Sequence, residues 1–140
     1  MIGDFIAFDL ETTGLDREKD QIIEIGLVRY KEGLEEATYR TLIKPVDLAV
    51  KSPEEGAEPE SVEVGDFISK LTGISNESLQ DAPVFAEVAS DIIEFCENLP
   101  MVAHNAPFDE HFLLKSYESY NKNLKDESKL IWPSVPFYDN

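Results

Sequence analysis

The chain has 140 residues, of which 42% are hydrophobic, and it carries a formal net charge of −17. This length and composition are enough for one hydrophobic core, so we expect a single domain over residues 1–140. The charge argues against broad binding to nucleic acid, which normally leaves a basic footprint. No apolar run approaches the roughly 18 residues of a membrane span, and the first residues lack the basic start of a signal peptide, so we expect a cytoplasmic protein with no membrane partner.

The first predicted strand, residues 2–10, brings two carboxylates, Asp9 and Glu11, to its end. Side chains alternate along a strand, so these two acids project from the same face about 7 Å apart. Carboxylate oxygens are the ligands that hard cations such as Mg²⁺ and Mn²⁺ prefer. The pattern therefore indicates half of a metal site, with an ordinary polar strand end as the alternative.

Two further strands are predicted over residues 21–31 and 37–43, with turns at residues 16–20 and 31–36. Connections this short favour an antiparallel meander of three strands. Glu24 lies within the apolar second strand and is a conceivable further metal ligand. We expect it instead to pair with Arg29 or Arg40.

An acidic segment and a helix follow the meander. Residues 51–66 are acidic, punctuated by Pro and Gly, and offer little to bury, so they are predicted to form an exposed loop, with partner docking as an alternative role. A helix is predicted over residues 83–97, with Cys96 on its apolar face. One cysteine cannot build a disulfide or a zinc site, so we expect Cys96 in the core.

A second acidic site follows about one hundred residues after the first. A short apolar strand at residues 101–103 feeds a helix predicted over residues 107–121, and Asp109 falls in the first turn of that helix. The helix dipole favours a carboxylate there whether or not a metal binds. That explanation does not account for the neighbouring His104, Asn105 and Phe108. A last strand is predicted over residues 135–139.

Four segments of the chain, in this order and spacing, resemble the motifs of the DEDD (DnaQ-like) 3′-5′ exonucleases, and the form of the first is closest to DNA-directed members such as the epsilon proofreading subunit. The segments are residues 8–15 (FDLETTGL), 21–28 (QIIEIGLV), 71–79 (LTGISNESL) and 104–109 (HNAPFD). The resemblance implies an α/β ribonuclease H-like fold. Its mixed sheet would hold the antiparallel meander followed by parallel strands, with helices on its faces.

The resemblance also implies roles for individual residues. Asp9 would bridge two divalent ions, Mg²⁺ or Mn²⁺, while Glu11 would bind one ion and help to position the attacking water, and Asp109 would complete the second ion's shell. The implied substrate-binding residues lie in the same two motifs: Thr12, Thr13, Gly14, Leu15, His104, Asn105 and Phe108. Instead of binding substrate, Gly14 could be an ordinary turn glycine. Phe108 could instead be part of the hydrophobic core.

The third motif of the family, His-x-x-x-x-Asp or Tyr-x-x-x-Asp, is absent after Asp109. His104 and Asp109 do have that spacing, but the preceding strand and the Phe-Asp pair fit the second motif, so His104 is expected to shape the loop by hydrogen bonding. We therefore expect a domain that is incomplete at its C-terminus and lacks its general base. Whether this chain is active alone stays open.

The function implied is a metal-dependent 3′-5′ exonuclease domain that releases nucleotides from single-stranded 3′ ends, of DNA in preference to RNA. The net charge of −17 does not exclude this, because an enzyme that grips a few terminal nucleotides through two dications needs few basic groups. The alternative is a non-catalytic domain of the same fold that binds nucleic-acid ends or a polymerase or helicase partner.

Overall fold

A computed structural model describes residues 3–46, 62–122 and 124–140 of the chain. Five strands form one mixed sheet in the order β3-β2-β1-β4-β5, in which β1 pairs antiparallel with β2 and β2 with β3, while β1–β4 and β4–β5 are parallel. The strands are β1 Phe5–Thr12, β2 Ile22–Lys31, β3 Leu34–Leu42, β4 Met101–Ala103 and β5 Phe137–Asp139. The helices are α1 Asp66–Thr72, α2 Asn76–Gln80, α3 Phe85–Cys96 and α4 Ala106–Asn121, followed by a 3₁₀ turn at Asp126–Ser128. The predicted meander followed by parallel strands is confirmed.

One face of the sheet packs against α3 and α4. In β1 the even-numbered residues, among them Ile6, Phe8 and Leu10, are buried, whereas the odd-numbered ones are more exposed. Cys96, 1% exposed, lies in this core as predicted. The hydroxyl of Tyr117 on α4 donates a 2.7 Å hydrogen bond to the carbonyl of Ala89 on α3. The odd-numbered face of β1, which carries Asp9 and Glu11, is therefore the face turned away from these two helices.

The hairpin between β2 and β3 is tighter than predicted. Its loop is only Glu32 and Gly33, whose φ angles of 54° and 79° are those of the two-residue turns that match strand twist. The turn lies within the predicted residues 31–36, but the prediction made it too long because β3 begins at Leu34 with solvent-facing residues, and such residues are common in both strands and turns.

The region between β3 and α3 holds two short helices that the sequence pattern did not indicate. Most of the predicted acidic loop, residues 51–61, lies outside the described residues; of the rest, Val64 is buried and Asp66 begins α1. Val64 packs in a small second cluster of buried residues with Ile23, Ile74 and Leu79. The helices were missed because α1 buries none of its residues and α2 spans a single turn.

Within the described ranges, no helix is both long and apolar enough to cross a membrane. The expected cytoplasmic location stays a prediction.

Candidate active site

The parallel pairing of β1 with β4 brings the two acidic segments together. Ile6 pairs with Met101 and Ala7 with Val102, so both strands end at the same edge of the sheet. Asp9 lies two residues beyond Ala7, and α4 begins directly after the turn that follows β4. Asp109, in the first turn of α4, is only 6% exposed. The two halves of the predicted site therefore lie at the same end of the sheet, although one hundred residues separate them in the chain.

Burial and neighbouring acids raise the pKa values of Asp109 and Glu11. Burial, followed by the charges of Asp9 and Glu11, raises the pKa of Asp109 from 3.8 to about 6. Burial also raises the pKa of Glu11, together with the charges of Asp9 and Glu24, while Arg40 opposes the shift. Glu24 stands directly across from Glu11 in the β1–β2 ladder. Asp9 itself is exposed to solvent, whereas Asp109 is buried.

Such a set of oxygen ligands suits a hard divalent cation, because a cation would relieve the repulsion between the acids. Among the residues that the structure describes, however, no three His, Cys, Asp or Glu side chains are close enough together to hold an ion. Asp9, Glu11 and Asp109 therefore share one electrostatic environment without forming a finished metal centre. Their donor chemistry fits a metal.

The loop after β1 is held by its own side chains. Thr12 Oγ1 donates a 2.6 Å hydrogen bond to the Gly14 carbonyl, and Thr13 Oγ1 donates one of 2.8 Å to Asp20. The Asp20 carboxylate also accepts from the backbone N–H of Asp16 at 2.8 Å. This carboxylate packs so closely on Gly14 that an added Cβ would lie 2.8 Å from Asp20 Cγ. The structure thus gives Gly14 a packing reason of its own, and the two threonine side chains are engaged within the loop.

Gly14→Ala is expected to destabilise the protein by about 1–3 kcal/mol, because the new methyl group overlaps the Asp20 carboxylate and overpacking costs that much in tight sites. Urea denaturation would measure the loss. Gly65→Ala is the matched control, since, apart from the glycine itself and its two chain neighbours, no atom of residues 3–46, 62–122 or 124–140 lies within 4 Å of a Cβ at that position. Adding Asp20→Ala should remove most of the Gly14→Ala penalty in a double-mutant cycle. A penalty that survives unchanged would contradict the packing argument.

The remaining predicted substrate-binding residues differ in their exposure. Leu15 is 84% exposed, and the side chains of His104 and Asn105 are exposed on the turn before α4. Phe108 is half-buried, with its ring centroid 4.7 Å from that of Phe112 and 6.0 Å from the guanidinium carbon of Arg17. Phe108 thus packs against the core on one side, in line with the alternative prediction.

Of two polar contacts near the acids, the sequence did not predict the one made by Asp139 but did predict the one made by Arg40. The Asp139 carboxylate accepts a 3.0 Å hydrogen bond from the backbone N–H of Ala106 and so caps α4, whereas Asn105 makes no side-chain cap. Arg40 Nη2 lies 3.9 Å from Glu24 Oε1, which agrees with one of the two predicted pairings. The sequence carries no local signal for the Asp139 contact, because 33 residues separate its partners.

The chain resembles several bacterial DNA-processing proteins in sequence. It is 38% identical over 111 residues to a PolC-type DNA polymerase III of Caldanaerobacter subterraneus subsp. tengcongensis, 35% over 124 residues to the 3′-5′ exonuclease DinG of Staphylococcus epidermidis, and 39% over 109 residues to the DNA polymerase III epsilon subunit of Treponema pallidum. These matches cover 79%, 89% and 78% of this chain but only 7%, 12% and 44% of the relatives. The chain thus corresponds to less than half of each.

Solved structures of exonuclease I share the fold. A product-bound form superposes with a TM-score of 0.68 at 16% identity, covering 99% of this chain and 30% of that one. The Escherichia coli enzyme in complex with a dT13 oligonucleotide gives 0.68 at 15% identity, with coverage of 98% and 28%. These likenesses confirm the predicted ribonuclease H-like fold.

The family model RNase_T, described as Exonuclease, matches residues 6–55 and 57–135. That match includes β1, the turn before α4 and Asp109, and it agrees with the resemblance drawn from the motifs. The chain belongs to the RNase T exonuclease family, as its DnaQ-like motifs predicted.

Proposed function

We propose that this chain is a metal-dependent 3′-5′ exonuclease domain that removes nucleotides from single-stranded 3′ ends. The observation that carries the proposal is the meeting of Asp9, Glu11 and Asp109 at one sheet edge in a member of an exonuclease family. DNA is the preferred substrate, because the relatives are named as DNA polymerase III and its epsilon subunit, and exonuclease I was solved with a deoxythymidine oligonucleotide. The same names point to a polymerase as the partner; a helicase partner stays a prediction.

The site would hold two divalent ions, Mg²⁺ or Mn²⁺, through Asp9, Glu11 and Asp109. When bound, such ions polarise a phosphodiester and lower the pKa of a coordinated water. Asp9 is exposed and free to turn toward the ions, whereas Asp109 is fixed in the first turn of a capped helix. The chain would therefore offer one rigid and one adaptable ligand.

The substrate would be held by the loop after β1 and the turn before α4. Internal hydrogen bonds of Thr12 and Thr13 fix the loop, which leaves the exposed Leu15 to wedge against the terminal base. Phe108, with its inner side on Phe112, would flank the nucleotide. The sequence after Asp109 holds no His-x-x-x-x-Asp pair, so the proton acceptor stays unassigned.

Shortening of labelled single strands tests the proposal directly. A 5′-labelled DNA strand incubated with the 140-residue chain and Mn²⁺ should give a ladder of products, and the 3′-labelled strand should release its label as a mononucleotide at once. Chelator should stop both reactions, and an RNA strand of the same sequence should be shortened more slowly. Metal-dependent binding of the strand without shortening would favour the non-catalytic alternative. The absence of both binding and shortening would refute the proposal.

A further inference from the structure

Arg40 lies on the acidic face of the sheet, although its position on β3 is two strands away from Asp9. In the ladder Asp9 pairs with Gly26, and Gly26 pairs with Arg40, so the three residues form one row on one face. Gly26 has no side chain to fill the middle of that row. A Cβ built on Gly26 would lie 3.6 Å from Nε and 3.7 Å from Nη2 of Arg40. The guanidinium therefore extends across β2 toward the acids.

The guanidinium of Arg40 is available to a ligand. Its side chain is 65% exposed, and its ion-pair partner, Glu24 Oε1, lies 3.9 Å from Nη2, which is longer than a hydrogen bond. Arg29 provides the contrast within the same sheet: it is 16% exposed and hydrogen bonds to Glu36 at 2.7 Å and to the Phe95 carbonyl at 2.8 Å. Arg29 thus stabilises the fold, whereas the Arg40 guanidinium donates no hydrogen bond to the part of the chain that the structure describes.

An exposed arginine matters on this face because the acids around it repel a phosphodiester. A guanidinium can donate two parallel hydrogen bonds to phosphate oxygens, which gives orientation as well as attraction. The Arg40 guanidinium lies above β2, and neighbouring strands are about 5 Å apart, so it is displaced from the carboxylates by about one strand. A phosphate bound by Arg40 would therefore be adjacent along the strand to the scissile phosphate at Asp9.

We propose that Arg40 is a phosphate-binding residue, which holds a non-scissile phosphate of the single strand while the 3′-terminal phosphodiester lies at Asp9, Glu11 and Asp109. This inference rests on the proposed function. It adds a second contact with the strand that none of the exonuclease motifs contains. The exposed side chain also means that its removal should leave the fold intact.

The test measures the affinity for a fluorescein-labelled oligothymidylate at several salt concentrations, with Ca²⁺, another hard cation with oxygen ligands, in place of the Mg²⁺ or Mn²⁺ that would support cleavage. For Arg40→Gln we expect binding about tenfold weaker at low salt and a salt slope smaller by about 0.7, the value for one phosphate contact on a single strand. Arg40→Lys should keep the slope and recover part of the affinity. Lys122→Gln is the control, because it removes the same charge far from the acids. Lys122 lies 13 residues after Asp109, about 20 Å away along the axis of α4.

The outcomes separate this inference from the proposed function. If the unmodified chain binds and Arg40→Gln matches Lys122→Gln in slope and affinity, the role of Arg40 is wrong while the exonuclease proposal stands. An Arg40→Lys protein with the reduced slope of Arg40→Gln would also overturn it, since the positive charge would then have no effect. If the unmodified chain does not bind the strand at all, both proposals fail together.

Discussion

Asp109→Asn is expected to make the metal-free protein more stable than the unmodified chain at pH 8. The pKa of Asp109 is raised to about 6 in the folded protein, above its value of 3.8 in an unfolded chain. The folded state therefore binds more protons between these values, and stability falls as pH rises from about 4 to 6. Above that range Asp109 is charged and lowers the stability of the folded state by the full amount. Asparagine resembles the neutral acid, so it does not cause this loss of stability.

The gain should be about 1–3 kcal/mol at pH 8, because each pKa unit corresponds to about 1.4 kcal/mol and solvent near the exposed Asp9 weakens the repulsion. Urea denaturation at pH 5 and pH 8 would measure it, and the gain should be smaller at pH 5. Asp91→Asn, an exposed change on α3, is the control and should show no such gain. A variant no more stable than the unmodified chain at pH 8 would show that neither burial nor repulsion destabilises the charged Asp109.

With divalent metal bound, the unmodified chain should become more stable than Asp109→Asn. A ligand that binds only the folded state stabilises it by RT ln(1 + [L]/Kd). Mg²⁺ or Mn²⁺ should therefore raise the unfolding midpoint of the unmodified chain at pH 8 by more than that of Asp109→Asn. The burial and repulsion that destabilise the charged Asp109 without metal would then be offset by the bound cation.

The sequence was enough to locate the acids of the site because their positions follow from local rules. Alternation along β1 placed Asp9 and Glu11 on one face, and the strand before Pro107 placed Asp109 at a helix start. The structure differs only in detail there: α4 begins at Ala106, and β1 continues through Thr12. Short-range chemistry thus determined where Asp9, Glu11 and Asp109 lie, while their role as metal ligands stays a prediction.

The features that could not be predicted depend on strand register and on contacts far apart in the chain. Arg40 faces Asp9 only because β3 pairs with β2 in one register, and a shift of one residue would turn it to the opposite face. The Asp139 cap requires β5 to pair with β4. From the sequence, Gly14 cannot be distinguished from any other turn glycine, because the close contact with the Asp20 carboxylate appears only in the folded loop. None of these partners is marked by a local pattern.

Asp9→Ala is expected to abolish metal-dependent shortening of single strands and to leave the fold intact. Asp9 is exposed and lies among other acids, so its removal deletes repulsion and leaves no buried group without a partner. A ligand shared by two metal ions is worth several kcal/mol in the transition state, and about 4 kcal/mol corresponds to a rate loss of about a thousandfold.

The measurement is the rate of release of labelled 3′-terminal nucleotides in Mn²⁺, with the unfolding midpoint recorded for the same preparations. Asp91→Ala removes an equal charge from α3, on the other side of the sheet, and should keep the full rate. Residual shortening by the Asp9→Ala protein at the rate of the control would mean that the activity arises elsewhere than at this acidic edge. Loss of shortening with an unchanged midpoint would tie cleavage to a carboxylate that the fold does not need, as expected for an acid retained for metal binding.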